Sequence, residues 1–463
     1  MKIKIPEKIT EFGQVFNQND FKIYLVGGGV RDSIMKKKPY DWDAATNAHP
    51  EEVQKLFKRT IPTGIQHGTV TVVFKGLHIE VTTFRGEGNY TDGRHPDRIF
   101  FADNIEDDLS RRDFTINAIA AEIPTGKLTD PFHGIRDIKG KIIRTVGNPN
   151  ERFREDGLRL LRCIRFATTL NFKIDDSTMN SLYTEKNMVK KVASERIRDE
   201  FTKILMAEKP SVGLRLMETT GILELIIPEL TKCRNVTQKG MHRFDVLDHL
   251  YYSVDGVSSR SLTVRLAALF HDVGKPDAKK TDEFQNATFY NHEKISAKIT
   301  ENILNRLHFP KILIKDVCFL IKKHMFHYES RWKDSAVRRF LSGIKEETRE
   351  NNENPRTLEM ILEDLFELRL GDSYGLAGLY PNTDLTGEFR KRIRKEMERE
   401  QALGIKDLAV SGRDLQENGI PPGKHMGIIL KELLDTVLED PGMNTKEKLL
   451  NLSKNIYKKY TIS

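Results

Sequence analysis

The chain has 463 residues, 38% hydrophobic and 31% charged, with a formal excess of eight positive charges. At about 150 residues per domain that makes roughly three folded units, and the balance excludes a disordered or fibrous chain. No apolar run approaches the roughly 18 residues of a membrane span, the start MKIKIPEKITEFGQVF lacks the apolar core of a signal peptide, and Cys163, Cys233 and Cys318 are too few and scattered for a disulfide framework or a cysteine zinc site.

The expectation is a soluble cytoplasmic protein with no membrane partner. The charge excess permits a polyanionic partner without requiring one. In the first 150 residues, short β-type runs at 22–26, 69–74, 78–83 and 141–146 are punctuated by glycines and prolines, and 51–58 reads as a helix between strands. From residue 151 helical patterns dominate, at 154–170, 194–206, 210–219, 260–270, 294–307 and 312–324. Histidines become frequent near residue 240. The stretch 384–400 is dense in charge and reads as a solvated helix or linker, and 410–459 as a last small helical unit.

Four features of the first half carry chemistry. Leu25-Val-Gly-Gly-Gly-Val-Arg-Asp32 runs from a β segment through glycines into a helix start. Backbone N–H groups there approach phosphates closely, Gly28 among them, and Arg31 adds a fork of donors. A plain strand–turn–helix corner has the same pattern. Asp41-Trp42-Asp43 follows. On a strand, residues i and i+2 share a face, so both carboxylates can serve a pair of Mg²⁺ ions in phosphoryl transfer. An isolated Asp-x-Asp is also common in solvated turns, but here it comes ten residues after the glycine turn.

Arg111-Arg-Asp-Phe-Thr-Ile-Asn-Ala118 is the third feature. Arg112 and Asn117 suit triphosphate and sugar contact, while Asp113 also suits a helix cap. In the fourth, Glu155-Asp-Gly-Leu-Arg159-Leu-Leu-Arg162-Cys-Ile-Arg165, a wheel at 100° per residue puts Glu155, Asp156, Arg159, Arg162 and Arg165 on one half. Leu158 and Phe166 are exceptions on that half. Intrahelical ion pairs are the alternative use of this pattern.

Together these elements resemble the class II tRNA nucleotidyltransferases, that is, the CCA-adding enzymes and their bacterial poly(A) polymerase relatives. The resemblance runs from about residue 21 to 206. It takes in Thr83-Phe-Arg85 through Asp92-Gly-Arg-His-Pro96, which looks like that family's flexible loop, then Asp130-Pro-Phe-His-Gly134 and Glu195-Arg-Ile197. Gly29 and Cys163 stand where alanine is usual.

The resemblance implies an α+β fold: a polymerase β-like head with a mixed sheet, followed by an all-α body. It implies untemplated addition of CMP and AMP, from CTP and ATP, to the tRNA 3′ end, with the acceptor arm as partner. Asp41 and Asp43 would bind Mg²⁺, and Gly28, Arg31, Arg112, Asp156, Arg159, Arg162 and Arg165 match nucleotide-binding positions. Relatives that add only CC are shortened in the flexible loop; residues 83–109 are full length here, so AMP addition is expected.

Base choice has a chemical rationale. Cytosine and adenine both present an exocyclic amine beside an unprotonated ring nitrogen. A carboxylate accepts from the amine and a guanidinium donates to the ring nitrogen, which Asp156 and Arg159 supply. Uracil and guanine reverse the pattern and would leave groups mispaired.

The second half holds His249, His271-Asp272, His292, His324 and Asp372. This order resembles an HD-type metal-dependent phosphohydrolase. His249, His271, Asp272 and Asp372 match its metal ligands, and His292 and His324 match further histidines of dinuclear members. Imidazole and carboxylate donors together suit Ni, Mn, Fe, Co or Zn. A phosphatase or 2′,3′-cyclic phosphodiesterase activity is expected there. Residues 408–459 resemble the C-terminal region of HD-bearing members, with glycines and lysines suited either to RNA phosphates or to plain helix packing.

The expected organisation is a nucleotidyltransferase head (1–147), a helical neck with the nucleotide-selecting helix (148–239), an HD-type domain (240–383) and a helical tail (384–463). Three readings compete with full CCA addition: A-addition dependent on a CC-adding partner, poly(A) synthesis, and an HD phosphohydrolase with a degenerate nucleotide-sensing head.

Overall fold

The computed structural model describes the chain except residues 65–67, 88–98, 103, 239–242, 259–260, 282–286, 327, 349–354, 381–384, 400–401 and 462–463. The Asp92–Pro96 part of the expected flexible loop therefore lies outside the described residues.

The head is built on a sheet of seven strands among the described residues, in the order β3-β4-β5-β2-β1-β8-β9. These are β1 (Ile23–Val26), β2 (Trp42–Thr46), β3 (Thr60–Gly64), β4 (Thr69–Phe74), β5 (Leu77–Thr83), β8 (Ala120–Glu122) and β9 (Leu128–Thr129). Strands β6 (Arg85–Glu87) and β7 (Ile99–Phe101) pair separately. Only β2 and β5 run parallel; the other pairs are antiparallel, so the sheet is mixed.

Alternation is clear on β5, where Ile79 and Val81 are buried while His78 and Glu80 between and beside them reach solvent; on β4, Val70, Thr71 and Val72 are all buried. The helix Glu7–Asn17 lays Ile9, Phe12 and Phe16 on the core, and Phe12 stacks on Phe57 at 5.2 Å. The helix expected at 51–58 is Pro50–Leu56, opened by Pro50 and a capping box from His49.

Two elements differ from the sequence reading. The β run at 141–146 reduces to Ile142–Ile143, paired parallel with Lys173–Ile174. The helix expected at 154–170 is two helices, Pro149–Glu155 and Leu158–Leu170. The chain breaks because Gly157 presses on another segment: a Cβ there would lie 2.2 Å from the Met188 carbonyl oxygen. Asp156 is extended (φ −148°, ψ 108°), and its Oδ1 accepts from Leu158 N at 2.9 Å, capping the second helix. The helical wheel thus holds from residue 158 onward, and Asp156 sits in the turn before it.

Beyond the neck, the histidine-rich region packs the helices Val246–Asp255, Leu262–Phe270, His292–Arg306, Lys311–Lys323 and Leu358–Ala377 around one core. The stretch 384–400 forms the helix Leu385–Glu398, and it is not merely solvated. Phe389 is fully buried and stacks on Tyr328 at 4.3 Å, and buried Glu396 accepts from Arg338 at 2.9 Å. The tail holds Gly412–Glu417, Lys424–Glu439 and Lys446–Thr461. No described helix is long and apolar enough to cross a membrane.

Candidate functional site

Antiparallel pairing of β1 with β2 sets Val26 opposite Asp43, so the glycine turn that follows β1 lies beside the two aspartates. Asp41 precedes β2 and Asp43 is on it. A Cβ on Gly27 would lie 3.2 Å from Asp43 Oδ2 and 3.4 Å from Arg112 Nη1, so the turn, the carboxylate and the guanidinium converge. Gly28 opens the helix Gly28–Ile34 that carries Arg31.

The Asp43 carboxyl is pushed up to about 6 by burial and by the charges of Asp41 and Glu80, with Arg112 opposing. Glu80 is paired in register with Asp43 across β2 and β5. Sequence reading missed it, because one acid on the solvent face of an alternating strand looks ordinary. Partly buried Asp43 between the exposed carboxylates of Asp41 and Glu80 gathers negative charge that a divalent cation neutralises, so these residues fit such an ion.

Arg112 is held by Asp108, whose carboxylate also binds Arg111 at 2.6 Å. Burial alone would raise the Asp108 carboxyl, but Arg112 and Arg111 hold it below its usual range. A second network joins the helix Gly28–Ile34, the segment around Asp113 and Asn117, and the helix Leu158–Leu170. Arg31 donates to Asn117 Oδ1 at 2.8 Å, Asn117 Nδ2 donates to Asp113 Oδ1 at 3.2 Å, and Arg162 Nε donates to Asp113 Oδ2 at 2.7 Å. Burial opposes ionisation of Asp113, but Arg162 outweighs it and the carboxyl is held low.

The Phe166 ring sits amid three guanidinium groups: Arg165 at 3.8 Å, Arg31 at 5.4 Å and Arg162 at 5.5 Å. That explains an aromatic residue on the polar half of the wheel. Arg165 also donates to buried Glu200 at 2.5 Å.

Asp156 and Arg159 do not pair with each other. Arg196 donates to both Asp156 oxygens, at 2.8 and 3.3 Å. Arg159 donates to Glu155, to the Arg152 carbonyl at 3.0 Å and to the Arg111 carbonyl at 3.2 Å. Asp156 Oδ1 already accepts from both Leu158 and Arg196, but Oδ2 keeps a lone pair and the Arg159 guanidinium keeps N–H groups beyond the three it donates, so both retain capacity for a base. The role of Arg196 was not legible, since its partner is 40 residues away.

In the body, His249 and His271 bring their Nε2 atoms to 3.1 Å. Asp372 Oδ1 lies 3.3 Å from His249 Nε2, and Asp272 Oδ2 lies 3.3 Å from His271 Nε2. Among the described residues, His249, His271 and Asp372 bring ligand atoms within 4.8 Å of one another, close enough to share one ion, and so do His271, Asp272 and His324. His292 Nε2 approaches Asp272 Oδ1 to 3.0 Å without hydrogen-bond alignment.

The histidines are oriented from behind. Nδ1 of His271, His292 and His324 meets the carbonyls of Ala268, Phe289 and Ile321 at 3.0, 2.8 and 2.7 Å. Those contacts place a proton on Nδ1 and turn Nε2 toward the cluster, where it can ligate a metal in exchange for any proton it carries. Gly375 permits the approach of Asp372: a Cβ at 375 would lie 2.8 Å from His249 Nδ1.

Burial disfavours a charged His271, yet Asp272 and Asp372 raise it to about 10. His324 is pushed down to about 3 by burial and by His271. The cluster therefore demands positive charge at its centre and fits a cation. Lys275 adds an ammonium 2.6 Å from Asp272 Oδ2, a contact the sequence reading did not single out.

Family models match in chain order: the poly A polymerase head domain over residues 23–144, a probable RNA- and SrmB-binding site of polymerase A over 171–233, an HD domain over 240–365, and a putative second domain of tRNA nucleotidyltransferases over 383–452. A CCA-adding enzyme of Levilactobacillus brevis is 46% identical over 209 residues, 45% of this chain and 52% of that one. The match thus spans about half the length of that relative.

The structure of the Bacillus stearothermophilus CCA-adding enzyme in complex with CTP aligns over 98% of both chains with a TM-score of 0.74 and 25% identity. That of the Thermotoga maritima CCA-adding enzyme complexed with tRNA shares the fold, at a TM-score of 0.56 and 20% identity over 98% of this chain and 96% of that one. At 31% identity to the CCA-adding enzyme of Enterococcus faecalis, across 97% of each chain, the relation extends from head to tail, and the chain belongs to the CCA-adding enzymes.

Proposed function

We propose that the chain adds CMP and AMP to the 3′ end of tRNA, using CTP and ATP, in the cytoplasm. The observation that carries this reading is the convergence of Asp43, Arg112 and the glycine turn beside Asp41 and Glu80. Asp41 and Asp43 hold Mg²⁺, with Glu80 beside them; when bound, the metal supplies activation of the attacking hydroxyl and charge neutralisation on the triphosphate. In the reaction the tRNA 3′ hydroxyl attacks the α-phosphate and pyrophosphate leaves. Gly28 presents backbone N–H to the phosphates, and Arg31 and Arg112 donate to their oxygens, exchanging contacts with Asn117 and Asp108. Asn117 adds a sugar contact.

Asp156 accepts from the exocyclic amine of the base, and Arg159 donates to its ring nitrogen. Arg162 and Arg165 line the nucleotide's approach. The chain divides accordingly into head (1–147), neck (148–239), HD domain (240–383) and tail (384–463), with the tail on tRNA.

The test is incorporation with Mg²⁺ on labelled tRNAs lacking CCA, ending in C, or ending in CC, each offered single nucleotides and then CTP with ATP. Ordered addition of two C and one A supports the proposal. A-addition to the CC-ending tRNA alone identifies an enzyme dependent on a CC-adding partner. Long A tails on any RNA identify a poly(A) polymerase, and no incorporation favours hydrolysis at the HD site with a nucleotide-sensing head. Asp156→Ala that still excludes UTP and GTP overturns the assigned base readout.

A second activity rests on the backbone-anchored histidines. His249, His271, Asp272 and Asp372 hold Ni, Mn, Fe, Co or Zn, with His292 and His324 completing a dinuclear set. A metal there supplies an acidified water for phosphoester hydrolysis. Phosphatase and 2′,3′-cyclic phosphodiesterase assays with Ni²⁺, Mn²⁺, Co²⁺ and Mg²⁺ check this; their failure in protein that adds nucleotides overturns it.

A further inference from the structure

The helices His292–Arg306 and Lys311–Lys323 form a hairpin turned by residues 307–310. Its open end carries His292 and His324, whose rings lie 5.4 Å apart. Along the outer seam between the helices runs a cavity of about 610 Å³. Lys294 and Lys298 line it from the first helix, and Lys311, Lys315 and Lys322 from the second. All five are exposed, over a floor that includes buried Ala297, Ile314 and Cys318.

Two carboxylates also line the groove. Glu301 pairs with Lys298 at 2.8 Å and Glu347 with Lys315 at 3.1 Å. Lys294, Lys311 and Lys322 make no ion pair among the described residues, so the groove retains a net positive charge. The lysine spacing settles what kind of anion suits it. Four-residue steps advance about 6 Å along a helix, and Lys311 to Lys322 covers about 16 Å. Ammonium groups strung out in two rows do not converge on one phosphate, as a mononucleotide site requires. They match a line of phosphates.

We propose that this groove binds the phosphodiester backbone of an RNA strand, with one end of the strand at the His292–His324 end of the hairpin. Phosphate contacts of this kind position a nucleic acid without reading its sequence. The proposal goes beyond both activities above and stands without hydrolysis at the HD site.

The test is the affinity of the full chain for fluorescein-labelled tRNA, by anisotropy over a range of salt concentrations. Lys294→Gln/Lys311→Gln/Lys322→Gln is compared with Lys2→Gln/Lys4→Gln/Lys8→Gln, which removes the same charge from the amino terminus. Each lost phosphate contact flattens the log–log salt slope by about 0.7 to 0.9, so the groove variant loses affinity and its slope falls by roughly two to three. Amide exchange in the two helices slows when tRNA binds the parent chain. Equal effects of the two triple variants, or exchange in both helices unchanged by tRNA, overturn the proposal.

Discussion

Gly29 and Trp42 are fitted to each other: a Cβ on Gly29 would lie 2.9 Å from Cε3 of the indole and 2.9 Å from the Asp41 carbonyl oxygen. The alanine usual at this position in the family therefore does not fit here. Gly29→Ala is expected to destabilise the head by about 1–3 kcal/mol, the usual cost of overpacking, and to displace the backbone that carries Asp41 and Asp43. Melting and CMP incorporation should fall together. Trp42→Leu in the same chain removes the ring contact but not the carbonyl contact, so it should restore activity only in part.

Arg196 holds Asp156 through both carboxylate oxygens. Arg196→Ala leaves Asp156 held only through Oδ1 by the Leu158 N–H, and frees Oδ2 to swing away from the base edge. We expect discrimination of CTP over UTP to fall about ten-fold, equivalent to about 1.4 kcal/mol, with partial recovery in Arg196→Lys. The readout is the ratio of kcat/KM values for the two nucleotides. A purely structural role would lower both rates and leave the ratio unchanged.

The histidine cluster should bind metal independently of the head. Adding Ni²⁺ or Mn²⁺ at 100 times its Kd should stabilise the native state by about 2.7 kcal/mol, seen as a rise in the Tm of the body. His271→Ala should abolish that rise while leaving nucleotide incorporation intact. Asp43→Asn should do the reverse. A metal-dependent rise that survives in His271→Ala would place the ion elsewhere.

Asp364 lies in a groove with Asp316 and Arg356, and Arg356 bonds Asp316 at 2.9 Å and Asp364 at 3.3 Å. Burial pushes the Asp364 carboxyl up to about 6; Arg356 opposes this, while Asp316, Glu367 and Glu363 reinforce it. The unfolded group titrates near 3.9. The folded chain thus keeps a proton that the unfolded chain loses, and this group's contribution to stability falls as pH rises from about 4 to about 6. Asp364→Asn should raise the Tm at pH 7.5 and leave it unchanged at pH 4. A difference independent of pH would contradict this assignment.

The parts of the molecule that sequence revealed are those governed by local pattern. The β-branched run at 69–74 stands as the strand Thr69–Phe74, and the helix at 210–219 stands as Pro210–Thr219, set by Pro210 at its first turn. The break at Asp156 was hidden because apolar periodicity continues across it. What decides it is the Met188 carbonyl pressed against Gly157, a contact from a distant segment. Charge density concealed the buried stripe of Phe389 and Ile393, which with Met397 at the same spacing docks a helix whose remaining positions are mostly charged. The residues at the glycine turn and among the histidines were legible as motifs, whereas Glu80, Arg196 and Lys275 join their clusters only through pairing and packing.

The arginines around Phe166 and the glycine turn are already engaged, with Asn117, Asp108, Asp113, Glu155 and Glu200. A cation with a standing partner is a poor trap for stray anions. Sulfate or free phosphate must compete with an internal carboxylate one contact at a time, and gains little from each exchange. A triphosphate arriving with its own divalent ion makes several exchanges at once, and the displaced carboxylates can turn to one another's guanidinium groups. In the proposed reaction, the salt links that tie the helix Gly28–Ile34 to the helix Leu158–Leu170 would thus also favour a polyvalent ligand over the commonest small anions.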